Sequence, residues 1–198
     1  MGTSAKQNYI TALQVYHKQL ESAIKAKYGI DTKYLEVLSW GYHTTAIYVK
    51  APNDREYLLK LADWSELKEQ GCLKDIALSN QLRASIPTPE YLTTLSGDYT
   101  CRFEDKILRL SHYISGVAPL AMTYPILAQM VAVLSKLHAV KLPPETGQSA
   151  PNAVMLHGDL TPHNVLVAYG QLVAVLDFEL STVGRREYDL ARTAFFSW

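Results

Sequence analysis

"HGDLTPHN", residues 157–164, sets one Asp, one Asn and two His between the apolar runs "AVML" at 153–156 and "VLVA" at 165–168. A surface turn accounts for the polarity, but it has no need of an aspartate five residues ahead of an asparagine. The next segment supplies a reason. "NVLV" and "LVAVLDF" flank "AYGQ", which reads as a β-hairpin whose turn uses a positive φ at Gly170. The second strand ends in "LDFE" at 176–179, so Asp177 leaves the sheet where the hairpin has returned to its start, beside Asn164. Two such oxygen ligands suit a hard divalent cation that keeps some waters and binds phosphate oxygens.

Upstream of this centre the chain alternates helical and strand-like patterns. Ile10, Leu13, Tyr16, Leu20 and Ile24 recur at three- and four-residue steps, predicting a helix over 5–28 that stops at Gly29. "YLEVLS", "TAIYVK" and "EYLLKL", separated by turn-forming segments, predict an antiparallel meander. A second helix is expected from Ser65 to about Ala84, with Leu67, Cys72, Ile76, Leu78 and Leu82 inward, ended by the prolines of "IPTP". Two more strands are expected in "YLTTL" and "KILRLSHYI", joined through "SGDYTCRFED". After "SGVAP" the pattern turns strongly apolar and helical over 123–140, followed by the loop "KLPPETGQSAPN".

Composition excludes several classes of function. Of 198 residues 48% are hydrophobic and 19% charged, a globular balance. Lys plus Arg equals Asp plus Glu at 19 each, so no bulk charge favours nucleic acid or an anionic membrane. The longest apolar stretch is broken by Pro125, Gln129 and Lys136, which marks a core helix and not a span. Cys72 and Cys101 form no C-x-x-C pair, so neither a zinc site nor a disulfide framework is indicated. With no apolar signal region at the start and Lys6 where a myristoylation motif wants Ser or Thr, a cytoplasmic protein is expected.

Taken in order, "YLLKL", "IPTP", "LRLSHYISG", "LSKLHAV", "HGDLTPHNVLV" and "VLDFELSTVGRREYDLA" resemble the aminoglycoside phosphotransferase and choline kinase-like superfamily of small-molecule kinases. The resemblance runs from about residue 33 to the end, and "HGDLTPHNVL" followed by "LDFE" is its specific part. It implies an α+β, two-lobed protein-kinase-like fold. The N-terminal lobe, residues 1–114, would hold an antiparallel sheet with an enclosed helix, and the mainly helical C-terminal lobe, 115–198, the catalytic hairpin. Family members continue beyond the "DLA" element with helices that supply most of the acceptor pocket, so the chain is expected to be truncated relative to them.

The resemblance also implies roles. Asp159 matches the catalytic aspartate, Asn164 and Asp177 the magnesium ligands, and Lys60 the lysine that contacts the ATP phosphates. Tyr113 and Ile114 fall in the hinge whose backbone recognises adenine. Gly41 is the one glycine kept in the segment aligned with the phosphate-covering loop. The partner of Lys60 on the following helix aligns with Asp75, one methylene shorter than the family's glutamate, with Glu69 as the alternative. Glu179 is open to two roles, a second metal ligand or a cap. Asp189, His138 and His163 read as structural, and "GRRE" at 184–187 as a solvated corner.

The expected activity is ATP- and magnesium-dependent phosphorylation of a hydroxyl on a small molecule, whether aminoglycoside, choline-like, homoserine-like or sugar. The alternative is a catalytically incompetent nucleotide-binding module. A protein kinase proper is disfavoured by the missing G-x-G-x-x-G and by "LDFE" in place of D-F-G. "TAFFSW" forms an apolar patch expected to promote self-association.

Overall fold

Alternation of side chains along four strands creates the first core. The computed structural model describes residues 3–40, 44–141 and 152–197. Helix α1 (Thr3–Tyr28) is followed by β1 (Tyr34–Trp40), β2 (Thr44–Lys50) and β3 (Glu56–Asp63). After helix α2 (Glu66–Leu82) come β4 (Cys101–Phe103) and β5 (Lys106–His112). The five strands form one antiparallel sheet in the order β1-β2-β3-β5-β4. Leu35, Ile47, Val49, Leu59, Leu61, Leu108 and Leu110 line one face and pack with Leu20, Ile24 and Tyr28 of α1. Gly29 ends α1 in the left-handed region, φ 69°, its N–H donating to the Lys25 carbonyl at 2.9 Å.

The rest of the chain forms helix α3 (Tyr124–His138), strands β6 (Ala153–Leu156), β7 (Val165–Ala168), β8 (Gln171–Val175) and β9 (Thr182–Arg185), and helix α4 (Arg186–Phe196), and with α2 it holds a second core. Leu78, Leu82, Ile86, Met130, Val133, Leu134, Leu137, Leu160, Val165, Val175 and Phe178 close it. β7 and β8 form the expected hairpin, turning through Tyr169 and Gly170 at φ 50° and 74°. β6 pairs with β9, which brings the chain on either side of 157–181 back together.

The chain groups into two compact units, Met1–Ser65 with Tyr91–Tyr113, and Glu66–Glu90 with Ile114–Trp198. This grouping differs from contiguous lobes of 1–114 and 115–198 in the placement of α2, whose polar side chains are tied to the segment after β8. Lys68 Nζ lies 2.6 Å from Glu179 Oε2, and Lys74 Nζ donates to the Ser181 carbonyl at 2.9 Å.

Two expectations are corrected. "YLTTL" is not a strand: only Tyr91 makes a β-bridge, to Ser111, and the fifth strand lies in "CRF", inside the expected connector. The Thr94 hydroxyl accepts the Asp98 N–H at 3.1 Å while the Thr94 N–H donates to the Asp98 carbonyl at 2.7 Å, a local turn that competes with a sheet ladder. Leu67 is 80% exposed, not inward. It sits five residues before the buried Cys72, about 140° around the helix at ~100° per residue. Ile10, Leu13 and Gly41 carry expectations that lie outside what is described at side-chain level. Among the described residues no helix is long and apolar enough to cross a membrane.

Candidate active site

The second unit gathers three of the expected residues. A turn at Pro162–Asn164 follows the extended Thr161, and the Asn164 N–H donates to the Thr161 carbonyl at 2.9 Å. This turns the Asn164 side chain back on the loop. Its Nδ2 donates to the Asp159 backbone carbonyl at 2.8 Å and to Asp159 Oδ2 at 2.9 Å. Because Nδ2 carries both bonds, Oδ1 is the amide atom left for a cation.

Asp177 arrives from the other end of the hairpin. The Leu176 N–H donates to the Asn164 carbonyl at 2.8 Å, extending the ladder one step beyond the Val165–Val175 pair. The next residue, Asp177, takes φ 65° and leaves the strand, its Oδ1 accepting the Glu179 N–H at 3.4 Å. A non-glycine residue held in this region carries strain, here at the residue expected to bind metal. An amide oxygen and a carboxylate are hard donors, a set that fits magnesium better than a softer transition metal. Two oxygen donors of this kind would suit an ion that takes its remaining ligands from water and phosphate.

The loop backbone is fixed from below by a buried polar network. Asp189 on α4 is buried, and its two oxygens accept the N–H groups of His157 and Gly158, each at 2.9 Å. His138 Nε2 lies 3.0 Å from Asp189 Oδ2. The His157 ring, wholly buried, donates from Nε2 to the Leu176 carbonyl at 3.1 Å and accepts the Asp159 N–H at Nδ1, 3.2 Å away. Those partners define a neutral ring. Burial holds its pKa below the ordinary histidine value, against the opposing pull of Asp189, Asp177 and Asp159. His163 is exposed.

Asp75 is the fully buried carboxylate of α2, and its Oδ1 accepts the N–H of Phe178, the residue after Asp177, at 3.0 Å. Glu69 is half-buried on the same helix. Glu179 is engaged by Lys68.

In the first unit Lys60 stands on β3, directly across from Ala46 and Arg109, on the face opposite Leu59 and Leu61. Tyr113 follows β5, its N–H donating to the Glu56 carbonyl at 3.0 Å, and Ile114 opens the next segment of the second unit.

Three residues were not anticipated. Arg109, 3% exposed, puts a second cation across the strand from Lys60, its guanidinium 5.8 Å from the Tyr91 ring centre. Tyr48 packs edge-on against Tyr113 with ring centres 5.0 Å apart. Arg192 of α4 donates to Asp159 Oδ1 from Nε at 2.9 Å and from Nη2 at 2.7 Å. The signal for Arg192 was in "YDLAR": a residue three after Asp189 shares its helix face.

Residues 142–198 match the phosphotransferase enzyme family. The chain resembles that family. A spectinomycin phosphotransferase solved with ADP and spectinomycin superposes with a TM-score of 0.70 at 14% identity, covering 87% of this chain and 71% of that one. Aminoglycoside phosphotransferase APH(4)-Ia gives 0.70 at 17% identity, covering 88% and 75%. The macrolide 2'-phosphotransferase MphH from Brachybacterium faecium gives 0.67 at 17% identity, covering 87% and 75%. Comparison with curated proteins finds no match. The chain therefore has the phosphotransferase fold, mixed α and β with an antiparallel sheet.

Proposed function

We propose that the chain is a phosphotransferase that moves the terminal phosphoryl group of ATP, with magnesium, onto a hydroxyl of a small molecule. The observation that carries this is the convergence of Asp159, Asn164 and Asp177 on one hairpin, held by hydrogen bonds from Asn164 to Asp159 and from Leu176 to Asn164. Asn164 Oδ1 and the Asp177 carboxylate would hold the metal. Bound as the magnesium complex, ATP supplies the transferable group and a charge-neutralised triphosphate.

Asp159 would orient the acceptor hydroxyl and take its proton late. Phosphoryl transfer of this kind asks mainly for positioning and charge neutralisation, which a pre-formed loop supplies. Lys60 would contact the phosphates, and the backbone of Tyr113 and Ile114 would meet adenine. The solved relatives carry spectinomycin or hygromycin B beside ADP, which favours a hydroxyl-rich natural product among the acceptors to be tried first. Exposed Phe195 and Phe196 on α4 support self-association, which light scattering across concentration tests.

The test is phosphoryl transfer from labelled ATP to a panel of aminoglycosides, choline-like amines, hydroxy amino acids and sugars, with thermal unfolding measured in parallel. Transfer that requires magnesium supports the activity. A melting temperature raised by Mg-ATP with no transfer to any acceptor points to a nucleotide-binding module. Absence of both the transfer and the thermal shift would overturn the proposal.

A further inference from the structure

Both oxygens of Asp159 are already engaged, and unequally. A carboxylate offers about four lone-pair positions, two on each oxygen. Oδ1 receives two N–H groups from Arg192, at 2.9 Å and 2.7 Å, and Oδ2 receives one from Asn164, at 2.9 Å. Counting the described residues, one position remains, on Oδ2, the oxygen on the Asn164 side.

We propose that Arg192 is a positioning residue for the transfer: its guanidinium fork reserves Oδ1 of Asp159, so that the acceptor hydroxyl is received only at Oδ2. This rests on the proposed phosphotransferase activity. The hydroxyl then donates to the same oxygen that Asn164 already touches, while Asn164 Oδ1 would remain available to hold the metal. The acceptor oxygen forms its bond to the terminal phosphorus of ATP as the bond from that phosphorus to the bridging oxygen breaks. The electron pair of that bond leaves with ADP, and the acceptor's proton passes to Oδ2 of Asp159.

The architecture of α4 favours this role over a simple stabilising ion pair. The side chains of Arg192 and Asp159 are 31% and 25% exposed, so the pair is not sealed in the core and a ligand can reach it. Asp189, Arg192 and Thr193 lie three and four residues apart on one face of α4, and all three address the same loop. Asp189 holds the backbone of His157 and Gly158, and the Thr193 hydroxyl donates to the Leu160 carbonyl at 2.8 Å. Arg192 alone reaches the side chain between them. Its guanidinium is also stacked over Phe196, 5.0 Å from the ring centre, which restricts the fork from its far side. Lysine carries the charge but not two donors in fixed array.

The experiment compares Arg192→Ala and Arg192→Lys with the wild-type chain in steady-state transfer and thermal unfolding, and adds guanidinium or methylammonium ions at millimolar concentration. We expect kcat to fall roughly 10²-fold in Arg192→Ala with KM for ATP nearly unchanged. Arg192→Lys should recover only a small part, and guanidinium, not methylammonium, should rescue the alanine variant. Wild-type kcat in either variant, or equal rescue by both ions, overturns the proposal. A readout independent of turnover is the Arg192 Nε–H resonance, which should shift in Asp159→Asn. If that resonance is indifferent to the substitution, the fork is absent and the proposal fails whatever the activity. If it shifts while the wild-type chain transfers phosphate to no acceptor, the fork stands and the proposed activity is what fails.

Discussion

The Asp189 carboxylate and the backbone of His157 form a buried hydrogen bond of 2.9 Å, and the second oxygen of Asp189 takes the neighbouring Gly158 N–H at the same distance. One side chain from α4 thus satisfies two consecutive backbone donors that water cannot reach. Asp189→Ala leaves both unpaired beside His138, and each orphaned buried donor costs about 1–3 kcal/mol, so a total loss of about 3–5 kcal/mol is expected. Asp189→Asn keeps one accepting oxygen and should lose less. Urea unfolding followed by circular dichroism measures both; a loss below ~1 kcal/mol in the alanine variant would show that the loop is held by something else.

Gly158 admits no side chain. Its φ is 82°, and a Cβ added there would meet the Leu180 carbonyl oxygen at 2.4 Å, a backbone atom that cannot rotate away. Gly158→Ala combines left-handed strain with this overlap, so a cost above ~3 kcal/mol or outright failure to fold is expected. Gly170, also at positive φ, has open space around its Cβ position, and Gly170→Ala should cost only about 1 kcal/mol. Similar melting temperatures for the two variants would contradict the distinction.

His157 makes stability depend on pH in a defined direction. Burial keeps its ring neutral in the folded chain, with Nε2 donating to Leu176 and Nδ1 accepting from Asp159. The unfolded chain takes up a proton on this ring below ~6.5, while the folded chain resists doing so. The unfolded state then binds more protons, so stability is complete above ~6.5 and falls as the pH drops below it. His157→Gln should be less stable at neutral pH and show a flatter decline on acidification. Denaturant titrations between ~pH 5 and ~pH 8 read this slope, and equal slopes would assign the effect to another group.

What was legible in the chain was whatever local chemistry determines. The "AYGQ" turn demands positive φ, Gly29 stops α1, and the two-residue alternation of "EYLLKL" puts Leu59 and Leu61 on one face and Lys60 on the other. The nearness of Asn164 and Asp177 followed from the hairpin's return, and Asp159 from the resemblance carried by "HGDLTPHN". Long-range pairing was not legible. β9 lies in "TVGR", too short and polar to announce itself, and forms because β6 offers it a partner. The spacing in "YDLAR" puts Arg192 on the face of Asp189, but that this face meets the side chain of Asp159 became visible only with α4 folded against the loop. Conversely "YLTTL" has strand composition but hydroxyls that close a turn with Asp98.

Asp159 and Asp177 should separate chemistry from metal binding. Asp159 is tied to Asn164 and Arg192 but stands outside the expected metal pair, so Asp159→Ala should lower transfer by roughly 10²–10⁴-fold while sparing the affinity for magnesium and a non-hydrolysable ATP analogue. Among the described residues the Asp177 carboxylate at the hairpin's end is engaged by a weak 3.4 Å contact to the Glu179 N–H, so a cation is a partner that would use it more fully. Asp177→Ala should remove the magnesium-dependent part of nucleotide affinity and leave whatever binding persists without metal. Calorimetric titration with and without magnesium distinguishes the two effects. If Asp159→Ala loses the magnesium dependence and Asp177→Ala retains it, the two carboxylates exchange roles, and the hairpin's end would no longer be the metal side of the loop.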